Sequence, residues 1–199
     1  WLGSAPEIAE DQIASTEDVD VLVVGAGGAG LMCAAICGEL GMKALVLEKT
    51  DTTGSFRTDI ASIGSRQQVE LGIEVDKGAI IHEIQKYSCG AANARLWKVW
   101  ADESGQAIDW MLDLLDEGGV PYFFESDPGL EDMIYPEWPV TNGFSDAETG
   151  MQTLLARLES VGAQVRYQTP MVKLEREEGG RVTGAIAQDL NTGEYLRVN

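Results

Sequence analysis

Residues 19–49, VDVLVVGAGGAGLMCAAICGELGMKALVLEK, constrain this chain more tightly than any other stretch. The apolar run Val21–Val24 reads as a buried strand. Gly25, Gly27 and Gly30 then form G-x-G-x-x-G at a turn into a helix, and Lys43–Leu47 reads as a second strand that ends at Glu48. A strand, a helix and a parallel strand make a βαβ unit, so the fold class is α/β. The glycine spacing has a chemical reason as well. Gly25 permits the tight turn, Gly27 leaves room for a pyrophosphate beside the backbone, and Gly30 lets the helix pack closely on the sheet. Gly25, Ala26, Gly27, Gly28, Ala29 and Gly30 are therefore the candidate phosphate cradle, at a helix N-terminus whose unpaired N–H groups favour negative charge. Glu48 lies where a carboxylate accepts hydrogen bonds from both hydroxyls of an adenosine ribose and repels a 2′-phosphate. In a glycine-rich turn of some other α/β protein, nothing would call for an acid at the end of the next strand.

Composition narrows the partners. Fourteen Lys and Arg against 33 Asp and Glu give a net charge of −19 over 199 residues, which argues against nucleic acid or an anionic membrane as partner. No apolar run is long enough for an integral membrane segment. Cys33 and Cys37 share one predicted helix, Cys89 is distant in sequence, and His82 is the only histidine, so neither a disulfide framework nor a metal site is expected. Core packing is the expected role of all three cysteines. His82, without an acid or nucleophile in sequence range, is expected at the surface or in packing.

Residue 1 is Trp, so the reading is of a trimmed N-terminus that carries no legible targeting signal. Residues 1–18 lack periodicity and read as an extended leader, and residues 19–199 as the domain. Lys49–Gln68 is polar and rich in Thr, Ser and Gly. It is expected to be a loop crossing the rest of the ligand, with Gly54, Ser62 and Gly64 offering backbone approach or hydroxyl contacts. Asp76–Leu115 carries helical spacing with a break near Cys89–Asn93, which predicts two helices, and Trp97, Trp100 and Trp110 are expected in their core. This helical insertion runs from about 66 to 148. Val120–Glu125 is a predicted strand. Ser126–Gly143 is a predicted loop whose acids, Asp127, Glu131, Asp132 and Glu137, lack the spacing of a calcium loop. Ser145-x-x-Glu148 reads as a capping box for a helix that buries Met151, Leu154, Leu155 and Leu158. Gln164–Gln168, Met171–Glu175, Val182–Leu190 and Tyr195–Val198 read as the strands of a β-meander.

Several of these segments resemble one family. VVGAGGAGLMCAA followed by VLEK, then Gly54-Ser55 and Ala61-Ser62-Ile63-Gly64, then GMQTLLARLESVGAQVRYQTPMVKLE and RVTGAIAQD, are similar to the N-terminal part of FAD-dependent oxidoreductases of the fumarate reductase and succinate dehydrogenase flavoprotein family. The resemblance covers nearly all of residues 19–199. It implies a Rossmann-like FAD-binding domain with FAD as cofactor, its pyrophosphate at Gly25–Gly30, its ribose on Glu48 and its isoalloxazine near the loop after Lys49. Gly54, Ser55, Ser62 and Ile63 stand where the family usually has paired glycines, and the backbone near Val172 would face adenine. The family's capping domain, with the His and Arg residues that bind a dicarboxylate and deliver a proton, would follow the equivalent of Asn199, so the chain is expected to be truncated before it, with no catalytic residue of its own. The leader Trp-x-Gly-x-x-Pro-x-Ile looks like that of exported reductases of this family.

Three functions are compatible with these readings. The first is the FAD-binding portion of a reductase that moves a hydride from flavin to the activated C=C bond of an enoate or dicarboxylate such as fumarate, with the electron donor unassigned. The second is an NAD-dependent dehydrogenase, since Glu48 suits that ribose equally, although further βα units would then be expected after the second strand. The third is a non-catalytic flavoprotein carrier or scaffold.

Overall fold

Val21–Val24 and Ala44–Leu47 form strands β2 and β3, which pair in parallel from Val21 opposite Ala44 to Val24 opposite Leu47. This computed structural model describes residues 6–54, 56–125 and 138–199. The chain divides into two units, one built from the chain up to Phe56 together with Leu154 onward, the other from Arg57–Thr153.

In the first unit, helix α1 (Gly28–Glu39) joins β2 to β3 and buries Leu31, Ala34 and Ala35. All four β3 residues are buried, as expected of a central parallel strand covered on both faces. Each large apolar side chain so buried contributes about 1.5–3 kcal/mol. The third strand of this sheet is β7 (Gln164–Arg166), parallel to β3. Sequence reading placed it in the meander. Its three residues carry no alternation that separates a parallel partner from an antiparallel one. The meander itself consists of β8 (Met171–Arg176), β9 (Val182–Gln188) and β10 (Tyr195–Val198), paired antiparallel in that order. Leu45 and Leu47 of β3 meet Ala187, Leu196 and Val198 in a shared core.

The leader departs from expectation. Glu10–Gln12 make one 3-10 turn, and Ile13–Glu17 form strand β1, parallel to β10. Arg197 of β10 fixes this edge with two forked carboxylate pairs, to Glu10 at 2.6 and 2.9 Å and to Glu175 at 2.8 and 3.0 Å. Three of the five β1 residues are exposed, so neither hydrophobic alternation nor burial marks it in the sequence.

The second unit has its own sheet of β4 (Asp59–Ala61), β6 (Thr141–Phe144) and β5 (Tyr122–Phe124), antiparallel in the order β4-β6-β5. β4 and helix α2 (Arg66–Glu70) interrupt the stretch expected to be loop. Gln68 explains the helix, since its buried side chain accepts from Gly64 and Ser65 N–H and donates to the Pro139 carbonyl. The two predicted helices are α3 (Lys77–Tyr87) and α4 (Ala94–Gly118), capped by Asp76 and Asn93, and Gly119 ends α4 at a left-handed φ of 64°. α4 packs directly on backbone, because a Cβ on Gly105 would stand 2.5 Å from the Gly64 carbonyl oxygen.

Helix α5 spans Ala147–Ser160. Its cap is Asp146, whose carboxylate accepts from Thr149 N–H at 2.9 Å and Thr149 hydroxyl at 2.7 Å, and not Ser145, whose hydroxyl turns to Pro121. Met151, Leu154 and Leu158 are buried and Leu155 half-buried. Two packing expectations fail. Cys33 is exposed and Cys37 half-buried, because Leu31, Ala34 and Ala35 take the buried stripe of α1, and Cys89 is exposed in the turn after α3. Trp97 and Trp100 are half-buried, edge to face at 5.5 Å, on an apolar groove of about 970 Å³ that Ile80, Ile84 and Trp138 also line. Trp110 is half-buried too, and His82 is exposed. The four acids predicted on the loop before β6 lie outside the described residues.

Candidate functional site

Gly25 leaves β2 with φ at 107°, a conformation that a side chain would strain, and donates its N–H to the Leu47 carbonyl at 2.8 Å. The chain then turns through Ala26, fully buried, to Gly27, the residue that caps α1 without any side-chain hydrogen bond. A Cβ built on Gly27 meets nothing within 4 Å, so the space before the helix is open. The first-turn N–H groups of α1 are those that helical geometry leaves without partners. Open space, unpartnered donors and the positive end of a helix fit a diphosphate.

The other glycines close the back of this cradle. A Cβ on Gly30 would lie 2.1 Å from the Gly25 carbonyl oxygen, and one on Gly28 would touch the Phe56 ring at 3.1 Å. Ala29 is exposed. From the other side, Gly54 donates its N–H to the Ala26 carbonyl at 2.9 Å, and a Cβ there would come within 3.3 Å of Gly27 Cα. The segment after Glu48 thus folds back onto the glycine turn.

Glu48 is only 8% exposed, and its carboxylate is fully engaged on one side. One oxygen accepts from Ala26 N–H at 2.7 Å; the other accepts from Thr50 N–H at 2.9 Å and from the Thr50 hydroxyl at 2.8 Å. Burial pushes the Glu48 carboxyl up, but these bonds, with one from the Lys49 backbone, outweigh it and hold the group below the ordinary carboxylate range. Beside it, burial and then the Glu48 charge push the Tyr167 phenol up. A cavity of about 160 Å³ opens next to Glu48, walled by Val24, Gly25, Leu47, Lys49, Pro170 and Met171.

A depressed carboxyl stabilises the fold above its unfolded value, near pH 4.3, and that contribution is lost as pH falls through the lower folded value. Glu48→Gln should therefore be destabilised by about 1–3 kcal/mol at neutral pH, where its amide faces the Ala26 N–H. Denaturant titrations from pH 7 down to pH 3 should show the gap to the parent narrowing in acid. A constant gap would mean that Glu48 charge is not what the Ala26 and Thr50 donors hold.

The structure thus brings together Gly25 to Gly30, Glu48 and Gly54, with Lys49 exposed at the cavity wall. Val172, half-buried on β8, falls at an irregularity of the pairing between Met171 and Lys173. Ser62 and Ile63 belong to the second unit, and their side chains serve its interior. The Ser62 hydroxyl accepts from Asn142 at 2.7 Å, and Ile63 packs with Ile80 and Ala101. Ser55 lies outside the described residues. Thr50, Phe56 and Tyr167 escaped sequence reading; only the position of Thr50, two residues beyond the acid, could have signalled a role. No group of metal-binding side chains occurs among the described residues.

Residues 20–199 match the FAD binding domain family. The chain is 26% identical over 192 residues to the vinyl phenol reductase of Lactiplantibacillus plantarum, covering 94% of this chain and 37% of that protein. It is 25% identical over 215 residues to the fumarate reductase (cytochrome) of Shewanella frigidimarina, covering 98% and 34%. The chain therefore spans little more than a third of the length of these relatives. In fold, it superposes on the open conformation of a flavocytochrome c3 fumarate reductase with a TM-score of 0.71 at 21% identity, over 92% of this chain and 32% of that one. The open glycine turn before α1, the buried Glu48 carboxylate beside it and a family match over nearly the whole length agree, and the chain belongs to the FAD binding domain family, with FAD as its cofactor.

Proposed function

We propose that this chain is the FAD-holding portion of a flavin-dependent reductase acting on the activated C=C bond of an enoate. The observation that carries the reading is the open space before Gly27, with the Glu48 carboxylate 2.7 Å from the N–H of neighbouring Ala26. When bound, FAD supplies hydride chemistry at its flavin ring. This chain's residues do the holding. Gly27 and the first turn of α1 receive the pyrophosphate, Glu48 takes the ribose hydroxyls, and the walls at Leu47, Pro170 and Met171 shield the adenosine half from water. The NAD-dependent reading loses its support, since the family matched is an FAD binding domain, and the strand that follows β3, β4, pairs antiparallel with β6 in a separate sheet instead of extending the parallel one. Choice of an activated C=C bond draws on the relatives, since fumarate and vinyl phenols share a carbon–carbon double bond, and the enoate follows the fumarate reductase among them.

The test is spectroscopic. Purified protein should carry or take up FAD, and in a form as long as the relatives the anaerobically reduced flavin should be reoxidised by fumarate or a vinyl phenol. No flavin uptake would overturn the site. Uptake with reoxidation only by oxygen or artificial acceptors would replace the reductase with an electron carrier.

A further inference from the structure

Thr50 has one hydroxyl proton and two acceptors within reach of it, the Glu48 carboxylate oxygen at 2.8 Å and the Thr52 carbonyl oxygen at 2.8 Å. The Glu48 oxygen in question also accepts from Thr50 N–H, so both of its in-plane lone pairs are occupied. The second carboxylate oxygen holds Ala26 N–H, and the Lys49 backbone donates to the same carboxylate, so all four of its in-plane lone pairs are engaged. A ribose hydroxyl needs one of them. It must be released, and the hydroxyl of Thr50 is the only one of these four donors that can turn elsewhere without moving backbone.

We propose that Thr50 is a positioning residue whose hydroxyl occupies the place of a ribose hydroxyl on Glu48 and swings to the Thr52 carbonyl when the ribose arrives. The inference rests on the FAD-binding reading of the glycine cradle. Thr50 keeps a buried acid ionised and correctly turned before the cofactor comes, and the exchange of one hydrogen bond for another costs little at the moment of binding. Other charges around Glu48 do not supply this. Tyr167 after β7 is an uncharged phenol, Lys49 is exposed, and Arg166 of β7 is drawn away to Glu17 at 2.5 Å. The turn from Gly25 to Gly30 carries no titratable group, and Pro170 and Met171 close the remaining side.

The experiment is FAD affinity of this chain as a function of pH, from 7 down to 3, for the parent, Thr50→Val and Thr50→Ser. Binding of the ribose requires the ionised acid, so affinity declines on the acid side as Glu48 protonates. Without the hydroxyl donor Glu48 protonates more readily, and the decline in Thr50→Val should begin at higher pH, by about half a unit or more, for loss of one charge-assisted bond. Thr50→Ser should restore the parent profile. Thermal unfolding of the same samples separates packing from positioning, since a lost methyl contact lowers stability but leaves the pH profile where it was. An unshifted profile in Thr50→Val, or a shifted one in Thr50→Ser, overturns the proposal. Failure of the parent to bind FAD at any pH would instead overturn the reading of the cradle.

Discussion

Gly27→Val will abolish FAD binding and leave the fold standing. Gly27 has φ −81° and ψ 171°, extended backbone that valine adopts readily, and its Cβ direction is clear of protein for 4 Å. The fold therefore loses little, no more than about 1 kcal/mol for a poorer helix cap. The cofactor loses its seat. An isopropyl group would fill the space before the first turn of α1, and a diphosphate held off the helix N–H groups forfeits several charge-assisted hydrogen bonds at about 1.5–3 kcal/mol each. Affinity should fall at least a thousandfold, so that a flavin fluorescence titration at micromolar protein shows no binding while far-ultraviolet circular dichroism overlays the parent. Retained flavin would show that the pyrophosphate lies elsewhere.

Gly30→Ala, three residues on, should do the opposite. One methyl placed 2.1 Å from the Gly25 carbonyl oxygen and 3.1 Å from Val23 Cγ1 meets backbone that β2 and β3 hold rigidly. Relief requires α1 to lift from the strand that feeds it. We expect a loss near the upper end of the range for overpacked cores, about 3 kcal/mol, which for a chain of this size is a drop of about 6–12 °C in Tm. Calorimetry of the flavin-free protein decides it. An unchanged Tm would mean that α1 rides free of β2. The two substitutions together separate the glycine that makes room for a ligand from the glycine that makes room for a helix.

Legibility in the sequence followed the strength of the physical constraint. Residues 19–49 could be read almost to the residue because turn, helix start and second strand each demand a particular residue type at a fixed spacing. α3 and α4 were legible for a similar reason, with a 3.6-residue apolar stripe and Gly119 at the end. Short strands were not. β4, β6 and β1 are three to five residues long, and their places are set by partners far away in sequence, such as Asn142 opposite Ile60. The cap of α5 was misread by one residue because Ser145 and Asp146 are both good caps and only the local turn selects between them. Cys33 and Cys37 escape the core because apolar character alone does not say which face of α1 they occupy. Within the site, Glu48 is legible as an acid at a strand end, but its bond to Ala26 depends on how closely β2 and β3 lie, and the bond of Ser62 to buried Asn142, 80 residues away, carries no local signal.

The pairing of β1 with β10 sets an order on biosynthesis. Ile13–Glu17 leave the ribosome about 180 residues ahead of Tyr195–Val198, so at ordinary elongation rates β1 waits about 10–40 s for its partner. A hydrophobic strand left open that long would invite pairing with neighbouring chains. β1 is short and shows mostly Ala, Ser and Thr to water, with Glu17 at its end, so it has little to offer a wrong partner. What holds it at last is Arg197, which reaches Glu10 and Glu175 only once β10 has joined the meander. Glu10, at the foot of β1, is thus secured by a residue made long after it.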